Sequence, residues 1–194
     1  MSKRIFDIVA SGIGLLLLLP LLLAVALWIK LDSPGPALFR QTRVGRFGVP
    51  FTIHKFRTMR IQPGSDITVG ADPRITRAGR FLRATKLDEF PQLWDVLRGA
   101  MSLVGPRPEV PRYVAMYPVS LRDVVLSVRP GITDPASLSF RNESELLAKA
   151  TDPEREYVDV VMPLKLKLAA DYVRTASLAG DVRLILATLG ALKI

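Results

Sequence analysis

From Ile8 to Ile29 the chain runs 22 residues without a charge. At about 1.5 Å of rise per residue that is roughly 33 Å of helix, enough to cross a hydrocarbon core of about 30 Å. Three arrangements compete for the segment. Lys3 and Arg4 before it, and Ala24-Val25-Ala26 near its end, have the outline of a secretory signal, but the apolar run continues through Leu27, Trp28 and Ile29. A simple spanning helix should show a bias of positive charge to one flank. Both flanks are basic: Lys3 and Arg4 on one side, Lys30, Arg40, Arg43 and Arg46 on the other. Pro20, near the middle, removes a backbone donor and predicts a kink. A bend between two basic flanks favours a re-entrant helix–break–helix hairpin over residues 1–30, with residues 31–194 as a domain on the side from which the hairpin enters.

Beyond Ile29 the periodicities shorten. Ser33-Pro34-Gly35-Pro36 ends the apolar helix. Ala37-Leu38-Phe39 and Phe51-Thr52-Ile53 read as short strands, and Gly45, Gly48 and Pro50 between them predict a hairpin. Gln62 to Asp72 reads as a polar loop. Arg77, Arg80 and Arg83 fall on one helical face, with Ile75, Ala78 and Leu82 on another: a basic amphipathic helix suited to anionic headgroups, or an ordinary solvated face. After Asp88, the spacing of Phe90, Leu93, Trp94, Leu97 and Met101 predicts a helix with one apolar side, stopped at Arg98-Gly99. Glu154–Arg174 reads as helix kinked at Pro163. Leu178–Leu192 reads as another, with Leu178, Val182, Ile185, Leu189 and Leu192 on one face. The fold class is α-rich α/β: an N-terminal re-entrant membrane helix and a small domain with amphipathic interfacial helices and a minor β-hairpin.

Composition narrows the chemistry. No cysteine is present and His54 is the single histidine, which excludes disulfides, thiolate zinc sites and a multi-histidine metal site. The net charge of +9 is concentrated: residues 1–100 hold 15 Lys/Arg against 7 Asp/Glu, and the remainder 12 against 11. An anionic partner is therefore sought in the first half. With few aromatics, none interleaved with the basic residues, and a membrane segment, nucleic acid is not that partner. No P-loop, dinucleotide fingerprint or nucleophile elbow is present.

The chemistry-bearing candidates are few. Adjacent carboxylates Asp88 and Glu89 can divide attack or metal binding from proton movement. Thr85, three residues earlier, reads as a helix cap. That places the pair at a helix start, where stability alone also favours acids. Lys55 and Arg57 would share one face of an extended strand and suit a diphosphate, or form a solvated basic edge. Arg107 is flanked by Pro106 and Pro108, which restrict its backbone and preorganise its guanidinium, or simply make a rigid turn. Arg129-Pro130-Gly131 is a second such device or a turn. His54 is given no role.

Taken together the motifs resemble the bacterial sugar transferases, the small monotopic phosphoglycosyl transferases. The resemblance rests on Lys3–Asp7, Lys30–Pro36, Phe39-Arg40-Gln41 with Arg43-Val44-Gly45, Lys55–Met59, Asp72–Thr76, Leu87–Leu93, Met101–Glu109 and Arg129–Thr133. It implies transfer of a sugar-1-phosphate from a UDP-sugar to a polyprenyl (undecaprenyl) phosphate at the cytoplasmic face of the inner membrane, with release of UMP. It also implies a covalent aspartyl phospho-sugar and Mg2+. By resemblance, Asp88 is nucleophile and Mg2+ contact, and Glu89 the proton-handling partner. Lys55, Arg57, Arg107 and Arg129 are phosphate contacts, Gln92 lies nearby on the same helix, and Arg141 is added as a binding residue. Membrane lipid is a partner, and a homodimer stays open.

Two departures stand out. Leu19 replaces a frequent serine before the mid-membrane proline. After Ile132-Thr133 the common Gly-x-Ala-Gln is replaced by Asp134-Pro135-Ala136-Ser137 and the run on to Asn142. The rival readings are a membrane-anchored scaffold that binds lipid or polymer without catalysis, and a hydrolase that passes the phosphoryl group to water.

Overall fold

The computed structural model describes residues 2–61, 70 and 72–190. The first element, α1 (Ser2–Asp32), is one uninterrupted helix of 31 residues with Pro20 inside it. The expected break is therefore not a break in helical backbone. Proline lacks one amide donor, but its φ is helical, and the leucines on both sides continue the turn. Straight, such a helix is about 46 Å long.

Both ends of α1 are fastened to the rest of the chain. At the N-terminal end, Arg4 donates to the carbonyls of Val96 (2.6 Å) and Leu97 (2.9 Å). Asp7, buried, accepts from the Leu103 amide at 3.0 Å. Lys3 pairs with buried Asp181, whose other oxygen takes the Tyr172 hydroxyl at 2.6 Å. At the C-terminal end Val25 and Ile29 are buried with Phe56, Ala78 and Leu82. Between these ends α1 stays bare: Ile13, Leu16, Leu17, Leu19, Leu21 and Leu23 are all exposed.

The predicted hairpin forms from β1 (Leu38–Val44) and β2 (Pro50–Phe56), antiparallel with Leu38 opposite Phe56 and Val44 opposite Pro50. Helix α2 (Arg77–Thr85) starts on a Thr76 cap to the Gly79 amide, with the Asp32 carboxylate on the Ala78 amide at 3.0 Å. Two acceptors thus satisfy an N-terminus whose dipole favours negative charge. The basic face is split. Arg77 and Arg80 are exposed, whereas Arg83 turns inward with its Nε on the Thr58 hydroxyl. Trp28 of α1 and Phe81 of α2, both well exposed, lie 5.5 Å apart, an arrangement suited to a lipid–water boundary.

A 3-10 turn (Leu87–Glu89) leads through Phe90 and Pro91 into α3 (Gln92–Arg98), which ends on left-handed Gly99 as expected. Its buried face is Gln92, Asp95 and Val96, and Trp94 is half exposed, so the predicted apolar side is only partly the core side. Polar Asp95 wins that place because it takes both the backbone N–H and the ring Nδ1 of His54, at 2.9 and 2.7 Å. Leu93 meets α1 instead, 3.3 Å from where a side chain on Gly14 would begin.

Two elements were not legible beforehand. Strands β3 (Ser102–Val104) and β4 (Gly131–Thr133) pair in parallel, Ser102 opposite Gly131 and Val104 opposite Thr133. Just past β3, the backbone of Gly105 meets Gly131. A Cβ on Gly131 would lie 2.1 Å from the Gly105 nitrogen, and one on Gly105 would lie 2.5 Å from the Arg129 carbonyl. No side chain fits at that crossing.

Short helices α4 (Pro111–Val114), α5 (Val119–Val125), α6 (Pro135–Ser139), α7 (Glu143–Leu147) and α8 (Pro153–Glu156) follow. A π-turn (Tyr157–Val161) joins α8 to α9 (Met162–Thr175), and α10 (Leu178–Gly190) completes the described chain. The kink expected at Pro163 is that π-turn: the wider loop ahead of the proline makes room for a ring that lacks its N–H. Val110, Tyr113, Val125, Leu147, Tyr157, Val161, Met162 and Leu166 form the larger core. Most of the predicted polar loop 62–72 and Leu192 lie outside the described residues.

Candidate active site

The site forms where the 3-10 turn passes the end of β2 and the loop after β3. Thr85 does not cap it. Thr85 closes α2, its hydroxyl bonded back to the Phe81 carbonyl at 2.9 Å. Lys86, in the left-handed region (φ 57°), then reverses the chain and delivers Asp88 and Glu89.

Glu89 is buried and fully engaged. Its Oε1 takes Lys55 Nζ at 3.2 Å and Arg107 Nη2 at 2.5 Å, and its Oε2 takes Arg107 Nη1 at 3.3 Å. Burial acts to raise its pKa, yet Arg107 and Lys55 outweigh it and hold the carboxyl well below the usual range. Glu89 is thus a buried, ionised counter-charge to Lys55 and Arg107. The Arg107 guanidinium is correspondingly raised, by Glu89 first. Burial pulls the Lys55 ammonium below its usual value, against the pull of Glu89.

Asp88 is the opposite case. Burial, then the neighbouring Glu89 charge, push its carboxyl up to about 6, although Lys55, Lys86 and Arg83 act to lower it. Its Oδ1 is buried and has no hydrogen-bond partner. Four residues on, buried Gln92 has an equally unpartnered Nε2. An anionic oxygen without a donor is costly in isolation and suits a cation or an electrophile.

That orphan oxygen fits Mg2+. Mg2+ is usually held by one or two carboxylates, with water and substrate phosphates completing six oxygens. No cluster of three or more acidic or histidine side chains occurs among the described residues. Asp88 could serve as such a carboxylate ligand, with a phosphate-bearing substrate and water supplying the others.

The remaining candidates divide. Lys55 and Arg107 join the cluster. Arg57 does not: it is buried, with its guanidinium on the carbonyls of Ser33 (2.7 Å) and Pro34, where it closes the C-terminus of α1. Arg129 donates to the Gly99 carbonyl at 2.8 Å, at the end of α3 opposite Asp88, beside the two carbonyls taken by Arg4. Both arginines satisfy helix C-terminal carbonyls, a use that strand or turn spacing does not reveal. Arg141 stands exposed between α6 and α7. The residues overlooked in the sequence are Lys86 and Arg83, whose charges act on Asp88, and Asp134. The Asp134-Pro135 pair is itself a helix-start signal that places a capping carboxylate there.

The family model for bacterial sugar transferases matches residues 1–193. This chain belongs to the bacterial sugar transferase family. It is 41% identical to a UDP-glucose:undecaprenyl-phosphate glucose-1-phosphate transferase of Caulobacter vibrioides, over 99% of this chain and 70% of that one. It is 38% identical to the protein of that name from Escherichia coli K12, over 96% of this chain and 39% of that one. An exopolysaccharide production protein of Rhizobium leguminosarum is 40% identical, over 96% of this chain and 92% of its own. The chain thus spans about two fifths of the longer Escherichia coli relative and nearly all of the Rhizobium one.

Proposed function

We propose that this sugar transferase moves a sugar-1-phosphate from a UDP-sugar to undecaprenyl phosphate through a covalent intermediate on Asp88. The observation that carries the reading is the division of the two carboxylates. Glu89 is locked between two cations, while Asp88, its carboxyl raised and its buried Oδ1 without a donor, is left to react.

An Asp88 carboxylate oxygen attacks the sugar-bearing phosphorus of the donor. A new P–O bond forms to Asp88, the P–O bond to the UMP phosphate breaks, and its electron pair leaves with UMP. An oxygen of the lipid phosphate then attacks the same phosphorus and expels the Asp88 carboxylate. No proton need move in either displacement, which agrees with a Glu89 that stays ionised. The difficulty is charge: an anion attacks an anion. Lys55, Arg83, Lys86 and Arg107 lie around Asp88 and offset it. Mg2+, when bound at Asp88, would supply Lewis-acid stabilisation of the phosphate oxygens.

The lipid acceptor requires a reaction centre at the bilayer surface. The bare middle of α1 and the Trp28–Phe81 pair provide a lipid-facing side. With Lys3, Arg4 and Asp7 docked at one end and Val25, Ile29 and Asp32 at the other, both ends of α1 meet the same domain. This double attachment supports reading α1 as a re-entrant helix with both ends on the cytoplasmic face. The chain has no cysteine, so a single one at Ser2 reports topology: it should resist an impermeant thiol reagent in intact cells. Labelling from outside would establish a spanning helix instead.

The deciding experiment is UMP release from a panel of UDP-sugars, with and without undecaprenyl phosphate. A burst equal to the enzyme, without lipid, is expected for one sugar. Release that depends strictly on the lipid would favour direct transfer, and steady release to water a hydrolase. The burst rate also has an expected pH profile. Asp88 attacks only when ionised, and its burial keeps the proton on to higher pH than usual. The rate should therefore rise through about pH 6 and level off above it. An acid limb near pH 4 would remove Asp88 from that step.

A further inference from the structure

In the segment Pro106–Arg107–Pro108, Arg107 alone has a backbone N–H. That amide is not left to solvent. It donates to Asp134 Oδ2 at 3.2 Å, while Asp134 Oδ1 takes the Ser137 amide at 2.7 Å. Asp134 is 1% exposed, at the end of β4, where the chain enters α6. The glycine crossing brings the two strands close enough for this reach: Gly131 donates to the Pro106 carbonyl at 3.0 Å and Gly105 to the Thr133 carbonyl at 3.1 Å. The charge of Asp134 also acts on the Arg107 guanidinium, after that of Glu89. Arg107 is thus held at two points, its main chain by Asp134 and its side chain by Glu89.

We propose that Asp134 is a positioning residue for Arg107: its buried carboxylate takes the single amide of the Pro106–Pro108 segment and fixes the direction from which the guanidinium enters the reactive cluster. The inference rests on the transferase reading above for its kinetic consequence, and on geometry alone for its structural one. A carboxylate is required because two N–H donors approach two different oxygens. Asparagine satisfies one of them and turns an NH2 toward the other, and serine has a single oxygen. Both remain good helix caps, so α6 keeps its start.

The test uses the full-length protein in detergent, as wild type and as Asp134→Asn, Asp134→Ser, Arg107→Lys and Asp134→Asn with Arg107→Lys. Hydrogen exchange of a peptide spanning 105–109 is the readout independent of activity. The two prolines contribute no amide, so Arg107 is followed with few neighbours. Its protection should fall roughly tenfold or more in both Asp134 variants. Unchanged protection overturns the proposal. With UDP-glucose or UDP-N-acetylgalactosamine and undecaprenyl phosphate, kcat should fall roughly 10- to 100-fold in each single variant. The double variant should be within about threefold of Arg107→Lys, because Asp134 acts through Arg107. Losses that multiply on an active enzyme overturn the proposal, as does loss of cooperative melting in both Asp134 variants. A wild type that releases no UMP from any donor sinks the transferase reading instead, and the exchange result still decides the role of Asp134.

Discussion

Asp88→Asn should abolish sugar-phosphate transfer while leaving the protein folded. The substitution keeps the shape and removes the charge that attacks phosphorus. Loss of a group that forms the covalent intermediate typically costs roughly 10⁴- to 10⁶-fold in kcat. Folding is expected to survive because the native carboxylate is itself disfavoured: burial and Glu89 raise it, and its buried oxygen has no donor. A neutral amide relieves that repulsion, so the melting temperature should hold or rise. Mass spectrometry of the wild type, given donor without lipid, should show an increase of one sugar phosphate on the peptide containing Asp88. The same experiment on Asp88→Asn should show none. A variant with wild-type turnover would dismiss the nucleophile assignment.

Glu89→Gln should produce the reverse pattern: a large loss of stability, with adduct formation better preserved than in Asp88→Asn. Removing one partner of a buried ion pair leaves the other charges uncompensated, at a cost of about 3–5 kcal/mol. Here two cations, Lys55 and Arg107, lose their shared counter-charge. Arg107 keeps a third of its side chain in solvent, which places the expected cost near about 3 kcal/mol. For a chain of this size that corresponds to a fall of about 6–12 °C in Tm. The sign of the pH effect is also fixed. Glu89 is one of the two causes that raise Asp88, so its neutralisation should move the acid limb of the burst to lower pH. Glu89 itself is depressed, so its own stabilisation is complete above its ordinary value of 4.5 and is lost as pH falls below it. A variant with wild-type melting and an unmoved acid limb would show that the cluster is not coupled in this way.

The hairpin, the basic helix, the stop at Gly99 and the long apolar helix were legible because each leaves a local mark: alternation, three-residue spacing, a glycine, an uncharged run. Asp88, Glu89, Lys55 and Arg107 were legible as residues, but not as two unequal carboxylates. That inequality comes from which of the two side chains meets the cations, a matter of tertiary placement. Strands of three residues carry no period to read, so β3 and β4 were invisible, and with them the mount for Arg107. Arg57 and Arg129 stand apart from the cluster for a related reason. A basic residue beside a proline or in a strand looks ready for phosphate. A helix C-terminus, whose carbonyls offer partial negative charge, claims the same guanidinium, and only the fold shows which helix ends are near. Lys3 and Arg4 read as topological flank charges, yet they bind Asp181 and the end of α3.

The double attachment of α1 bears on how freely this enzyme's anchor could be exchanged. Any apolar stretch of sufficient length would satisfy a bilayer, but Asp7, Val25 and Ile29 face protein rather than lipid, and their partners are built into β3, β2 and α2. A borrowed anchor would leave the Leu103 amide without an acceptor, Asp181 without its cation, and the pocket around Leu82 half empty. The membrane segment is in this sense a wall of the house and not its mooring rope. A fragment that begins after Asp32 starts with part of its interior facing outward.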